Sequence, residues 1–200
     1  MIFDLKSFDK SQIYHLMTQT VIPRPIAWIL SENENKTWNL APFSYFAAVG
    51  SEPPLLLVSQ GRKAKDGAQK DTSTNLRNQK KCQVLIASFE QLNLVQKTAE
   101  PIDYGISEVE HAGLQLTTID GMDFPIISGC KVAFQCSLFE EKNIGVQSLF
   151  FLEIEKIWSA DECVEKDSKG RFVIDAKKID PLSRLGAGFY GSLGEVSKPE

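Results

Sequence analysis

Histidine is almost absent from this sequence. Only His15 and His111 occur, and the four cysteines (Cys82, Cys130, Cys136 and Cys163) form no CxxC pair and no metal-type spacing. A Cys/His zinc site is therefore not expected. Both histidines fall in short helical stretches, where a place on the helix face accounts for them without chemistry. The sequence also lacks a GxGxxG that joins a strand to a helix, GxxxxGK[ST], GxSxG and HExxH, which removes a Rossmann dinucleotide site, a P-loop, a serine-hydrolase elbow and a zincin. Carboxylates are numerous, but no pair stands out as a general acid/base couple, and no catalytic residue is assigned. No apolar run reaches the length of a membrane span, and the opening MIFDLKSFDK has no signal-type apolar core. A reduced, cytoplasmic setting with no membrane partner is expected. The net charge of −4 lacks the basic surplus of a nucleic-acid binder. No repeat, low-complexity tract or linker-like stretch divides the chain, so residues 1–200 are expected to form one domain.

What is present concentrates between Thr37 and Asn75. TWNLAPFSYF gives a polar turn and an aromatic strand, AAVGSEPP a Gly/Pro corner, LLLVSQ an apolar strand, and GRKAKDGAQKDTSTN a basic loop running into a helix start. Strand ends offer backbone N–H groups and rings, and the basic loop with the helix N-terminus offers a seat for an anion. The ligand this implies is flat and carries a phosphate. In a chain of net negative charge, the cluster Arg62, Lys63, Lys65 and Lys70 is local and addresses a small anion, although a solvated loop explains any single lysine.

In chain order, SQIYHLMTQT (11–20) predicts a short helix packing Ile13, Leu16 and Met17. VIPRPIAWIL (21–30) has strand composition, but Pro23 and Pro25 remove two ladder donors and demand an edge or a bend. A polar turn at 31–36 then returns the chain through a strand from Trp38 to Phe46. Along it Asn39, Ala41, Phe43 and Tyr45 face one way. LLLVS (55–59) predicts a strand buried on both faces. Asp71 or Thr72 is placed to cap a helix reaching about Lys80. CQVLIASF (82–89) is another buried strand, 92–99 is helical, and Ser107-x-x-Glu110 makes a capping box for a helix that Gly113 ends. KVAFQCSLFEE alternates, with Cys136 as a buried structural thiol. A turn over 143–145 and the strand QSLFFLEIEKIW follow, then a hairpin near 167–170 and a glycine-rich tail, DPLSRLGAGFYGSL, carrying Arg184 and Tyr190. About seven strands and few short helices predict a mainly β protein, a small antiparallel barrel with helical decorations.

Five stretches together carry a family resemblance. VIPRPIAW (21–28), NLAPFSYF (39–46), EPPLLLVS (52–59), KDTSTN (70–75) and PLSRLGAGFY (181–190), in this order and spacing, resemble the flavin reductase-like family across essentially the whole chain. The resemblance implies an antiparallel Greek-key split β-barrel that binds FMN, usually a homodimer with flavin at the subunit interface. It places Asn39, Ala41, Pro42, Phe43 and Ser44 along the isoalloxazine, and Ser59 and Arg62 near the ribityl chain or phosphate. Lys70, Thr72 and Asn75 would hold the phosphate, with Arg184 and Tyr190 closing the pocket. Arg24 is a flavin contact or an ion-pair partner within its strand. Asp71, between Lys70 and Thr72, is expected to turn away from the phosphate or to cap the helix.

Two readings follow from the resemblance. In one, the protein is an NAD(P)H:flavin oxidoreductase with FMN as cofactor and FMN, FAD or riboflavin as substrate, passing hydride from nicotinamide to flavin N5. It would then suit the reductase component of a two-component monooxygenase. In the other, it is a flavin-bound electron carrier reduced by a partner protein. A stacked nicotinamide needs no Rossmann unit, so the missing dinucleotide motif does not separate the two.

Overall fold

The computed structural model describes residues 1–63 and 66–199, so Lys65 lies outside the described residues. Helix α1 (Lys10–Thr20) begins at a capping box in which the Gln12 N–H donates to Asp9 and the Asp9 N–H donates to Gln12. Strands β1 (Arg24–Pro25), β2 (Ala27–Glu32), β3 (Trp38–Phe43), β4 (Phe46–Ser51) and β5 (Pro54–Gln60) follow. Helix α2 (Asp71–Gln79), strand β6 (Lys81–Ile86) and helices α3 (Leu92–Lys97) and α4 (Glu108–His111) come next. Two short strands, β7 (Leu116–Thr117) and β8 (Ile126–Ile127), precede the long hairpin β9 (Val132–Ile144) and β10 (Gln147–Ser159). The remainder is a small hairpin, β11 (Val164–Lys166) and β12 (Phe172–Ile174), one turn of helix α5 (Ala176–Ile179), and the pair β13 (Ser183–Gly186) and β14 (Phe189–Gly191).

Seven strands pair antiparallel in the order β3-β2-β6-β9-β10-β5-β4. β3 and β4 stand at opposite ends of that order, yet only Ser44 and Tyr45 separate them in the chain. They form one bent strand whose first half pairs with β2 and whose second half pairs with β5, and this closes the sheet into a split barrel. The Ser59 N–H donates to the Tyr45 carbonyl at 2.9 Å and holds the corner. The sequence pattern predicts that this strand ends at Phe46. AAVGS instead continues as β4, a run of small exposed residues in which no hydrophobic alternation announces a strand.

Period-two alternation divides the core. Ala27 and Ile29 of β2 point into the barrel with Phe43, Leu56, Val58, Cys82, Val84, Cys136, Phe150 and Leu152, and Leu76 of α2 plugs that interior. Trp28 and Leu30 point outward, where Val95, Val109 and Ile127 cover them, and Trp28 Nε1 donates to Thr98 Oγ1 at 2.8 Å. Cys136 is a buried thiol as expected, directly opposite Cys82.

Several expectations shift. Pro23 and Pro25 stay out of the main ladder, because VIPRPIAWIL splits between two sheets. β1 is an edge of the small sheet β1-β13-β14, and Ile26 turns the corner into β2. β5 is buried on one face only: Leu56, Val58 and Gln60 are inside while Leu55, Leu57 and Ser59 are half-buried, since no described element of this chain covers that outer face. α1 buries only Thr18, and Met17, expected in the core, is 45% exposed. The helix is held by its C-terminal end, where β13 approaches so closely that a Cβ on Gly186 would collide with the Thr18 carbonyl. The β9–β10 turn falls on Gly145 and Val146, at and one residue beyond the end of the expected 143–145, with Ile144 opposite Gln147.

Candidate functional site

A cleft of about 1110 Å³ opens between two walls. One wall is built from β3 (Asn39, Ala41, Pro42), the loop carrying Arg62 and Lys63, and the start of α2 (Lys70, Asp71, Thr72). The other is the segment Thr98 to Tyr104 with Glu108 of α4. Ala41 and Pro42, neither with a long side chain, line this wall.

The basic end is organised by α2. Its N-cap position is Lys70, and no side chain caps the helix, which corrects the expectation of an Asp71 or Thr72 cap by one residue. The first-turn N–H groups and the positive end of the helix dipole are left facing the cleft. Lys70 Nζ lies 5.1 Å from the centre of the Phe43 ring, and burial, then the neighbouring Lys63, pushes its pKa down. Asp71 is the first residue of the helix and does not cap it. It lines the cleft and forms an ion pair with Lys63 at 2.6 Å, so its charge is matched within the wall.

Glu108 carries no signal that singles it out in the sequence. The residue is 6% exposed, Oε2 accepts from the Leu40 N–H at 3.0 Å, and burial raises its pKa to about 7, with Asp71 adding to the rise. The Ser107 motif locates α4, since Ser107 Oγ accepts from Glu110 N, but nothing in the sequence says which way Glu108 faces.

Of the expected site residues, the structure gathers Asn39, Ala41, Pro42, Arg62, Lys70 and Thr72 around the cleft. Phe43 lies beneath Lys70 in the barrel core. Asn75 is buried behind the wall, donating to Ser31 and Asn33. Ser59 faces Gln147 rather than the cleft. Arg24 and Ser44 line a separate cleft of about 320 Å³, beside Met17 and Tyr45. Arg24 has no carboxylate partner among the described residues. It donates to the carbonyls of Thr18 and of Val21 (2.8 Å) at the end of α1 and to Ser44 Oγ at 3.4 Å. Arg184 and Tyr190 do not line the large cleft of this chain. The guanidinium stacks 4.3 Å above the Tyr190 ring, whose hydroxyl donates to Gln96.

Fold and site together define a split-barrel protein whose cleft sets a basic, uncapped helix start beside Ala41 and Pro42. The chain belongs to the flavin reductase like domain family, which matches residues 17–174. Nitrilotriacetate monooxygenase component B from Bacillus cereus superposes with a TM-score of 0.89 at 29% identity, covering 100% of this chain and 98% of that one. The 2-nitrobenzoate 2-nitroreductase of Pseudomonas fluorescens superposes with a TM-score of 0.87 at 25% identity, covering 100% and 95%. The uncharacterized protein YwrF of Bacillus subtilis is 31% identical over 201 residues, covering 97% of this chain and 95% of its own. No helix among the described residues is long and apolar enough to cross a membrane.

Proposed function

We propose that the protein is an FMN-binding NAD(P)H:flavin oxidoreductase. The observation that carries the proposal is the uncapped start of α2, with Lys70 beside it, set at the end of a cleft wall. A phosphate accepts from helix N–H groups, from Lys70 and from a threonine hydroxyl, and these converge here. Among the described residues Lys70 pairs with no carboxylate, so its charge is available to a ligand. Arg62, on the exposed rim, is placed to meet the same phosphate. Asn39, Ala41 and Pro42 would lie along the isoalloxazine, with the 98–104 segment opposite.

Bound FMN would supply the hydride chemistry, accepting hydride at N5 from NADH or NADPH. The chain's residues position and shield. The walls hold the ring so that a donor ring can approach to about 3–3.5 Å, and the apolar surface excludes water from one face. Membership of the family and the likeness to a monooxygenase component support delivery of reduced flavin to a partner oxygenase. The four buried free cysteines suit a reduced, cytoplasmic protein. The uncovered apolar faces of α1 and β5 support a homodimer of one-domain subunits, in which a second copy would bring further residues to the flavin.

The test is anaerobic. NADH or NADPH should bleach the yellow protein within seconds, and added FMN, FAD or riboflavin should turn over. A protein that bleaches with dithionite but stays yellow with both nicotinamides at millimolar concentration is an electron carrier, and the reductase reading fails.

A further inference from the structure

Behind the basic end of the cleft runs a chain of side-chain hydrogen bonds whose direction the Gly105 carbonyl sets as far as Ser31. It starts at the Gly105 carbonyl, which can only accept, and Asn35 Nδ2 donates to it at 3.0 Å. Asn35 Oδ1 therefore faces Thr37 and accepts its hydroxyl at 2.7 Å. With that proton committed, Thr37 Oγ1 accepts from Asn33 Nδ2 at 3.0 Å. Asn33 Oδ1 accepts from Asn75 Nδ2 at 2.8 Å, and the same amide donates to Ser31 Oγ at 3.1 Å. Ser31 also receives Asn39 Nδ2 at 3.1 Å, and the second Asn39 N–H goes to Thr72 Oγ1 at 2.9 Å. Ser31 and Asn39 meet because they stand opposite each other where β2 pairs with β3.

At Ser31, a hydroxyl that can accept and donate, the inherited direction ends, and what directs the Thr72 proton is the placement of Asn39 Nδ2 on both the Ser31 and Thr72 hydroxyls. Thr72 is 1% exposed and accepts from Asn39, so its own hydrogen must go elsewhere. Thr74, two residues further along α2, returns its hydroxyl to the Lys70 carbonyl at 3.5 Å. Thr72 sits in the first turn, with no preceding helical carbonyl to take its hydrogen, and among the described residues the hydroxyl has no acceptor. What remains is the cleft that Thr72 lines.

We propose that Asn39 is a positioning residue: by donating to Thr72 Oγ1 it aims the Thr72 hydroxyl hydrogen into the cleft, where it donates to the phosphate of the bound flavin. Asn75 acts one step behind, holding Ser31 and through it the Asn39 amide, rather than touching ligand. This deepens the flavin reading and rests on it.

The experiment compares FMN with riboflavin, which lacks the phosphate, by fluorescence titration of the full-length protein. Thr72→Val should lower the FMN:riboflavin affinity ratio about tenfold, as loss of one charge-assisted hydrogen bond would. Thr72→Ser, which keeps the hydroxyl, should restore it. Asn39→Ala should lower the same ratio several-fold in the wild type and leave it unchanged in the Thr72→Val background. Asn39→Asp, nearly isosteric and the safer of the two to fold, should accept the Thr72 proton and lower the ratio further in wild type than in Thr72→Val. Losses that simply multiply, or a fall in riboflavin binding equal to that in FMN binding, would overturn the proposal and leave Asn39 as a support of the fold. If Thr72→Val leaves the ratio unchanged while Lys70→Ala lowers it, the phosphate seat stands and the inference fails. If neither changes it, the seat fails as well.

Discussion

Glu108 offers a quantitative test of the cleft before any ligand is added. Its carboxyl titrates at about 7 in the folded chain against 4.5 for a free glutamate, chiefly because burial disfavours the charged form. The folded pKa is raised, so the acid is neutral in the fold where it is already ionised in the unfolded chain. Stability is therefore unaffected below about pH 4.5 and is lost as pH rises from there to 7. Above that window the loss levels off at about 3 kcal/mol, from roughly 1.4 kcal/mol per tenfold shift in acidity. Glu108→Gln removes the titration, and its amide oxygen can still accept from the Leu40 N–H that Glu108 now accepts from. In urea melts without flavin, the variant should lie within about 1 kcal/mol of wild type near pH 5 and exceed it by about 3 kcal/mol at pH 8. Asp71 raises the Glu108 pKa and Lys63 lowers it, and both effects are smaller than that of burial, so the sign stands. Two melting curves that stay parallel from pH 5 to 8 would refute the buried, proton-holding carboxyl.

Three further outcomes are expected. Gly186→Ala, at φ +85° against the Thr18 carbonyl, should cost at least about 2 kcal/mol in urea melts and release α1 to early hydrogen exchange, and a neutral variant would contradict the packing. Arg77→Ala breaks a bidentate pair with Glu141 (2.8 and 2.6 Å) and a stacked contact with Phe150. It should lower stability by about 1–2 kcal/mol near neutral pH, less below the pKa that Arg77 holds down on Glu141, and a loss equal at pH 3 and 7 would contradict the pair. Light scattering should give twice the 22.3 kDa chain mass at micromolar concentration, since Tyr14 and Val21 are 56% and 58% exposed on a face no described element covers. A flavin-loaded monomer would exclude the interface.

The strands legible in the sequence are those whose side chains meet different surroundings on their two faces, or apolar surroundings on both. β6 reads as buried because it lies between β2 and β9 and both its faces meet core. β5 has the same apolar run, yet half of it meets no described neighbour in this chain. Composition alone reports that Leu55 and Leu57 want cover, not that the same chain provides it. β4 is invisible for the opposite reason. Ala47, Ala48 and Gly50 are held by ladder hydrogen bonds to β5, and a ladder leaves no trace in side-chain chemistry. The barrel's closure depends on that segment, so its antiparallel, mainly β character is legible and its closing strand is not.

The site divides along a similar line. Residues near one another in sequence, from Asn39 to Thr72, can be assigned to one wall because a strand, a loop and a helix start follow each other directly. The facing wall arrives from 98–108, and neither Glu108 nor Tyr104 carries a motif. Asn75 shows what a resemblance conveys without structure. The resemblance places it on the phosphate, whereas the structure buries it, with Nδ2 donating to Ser31 and Asn33 and Oδ1 without a partner among the described residues. Ser31, Asn33, Asn39, Thr72, Ser73 and Asn75 are all buried, and each occupies a position that polarity alone would assign to a turn or a surface. A barrel with Leu76 already in its plug could have filled those positions with apolar residues at less cost in desolvation. Buried polar groups in such number form chains of hydrogen bonds, and the chain they form here runs from the Gly105 carbonyl to a threonine hydroxyl at the start of an uncapped helix.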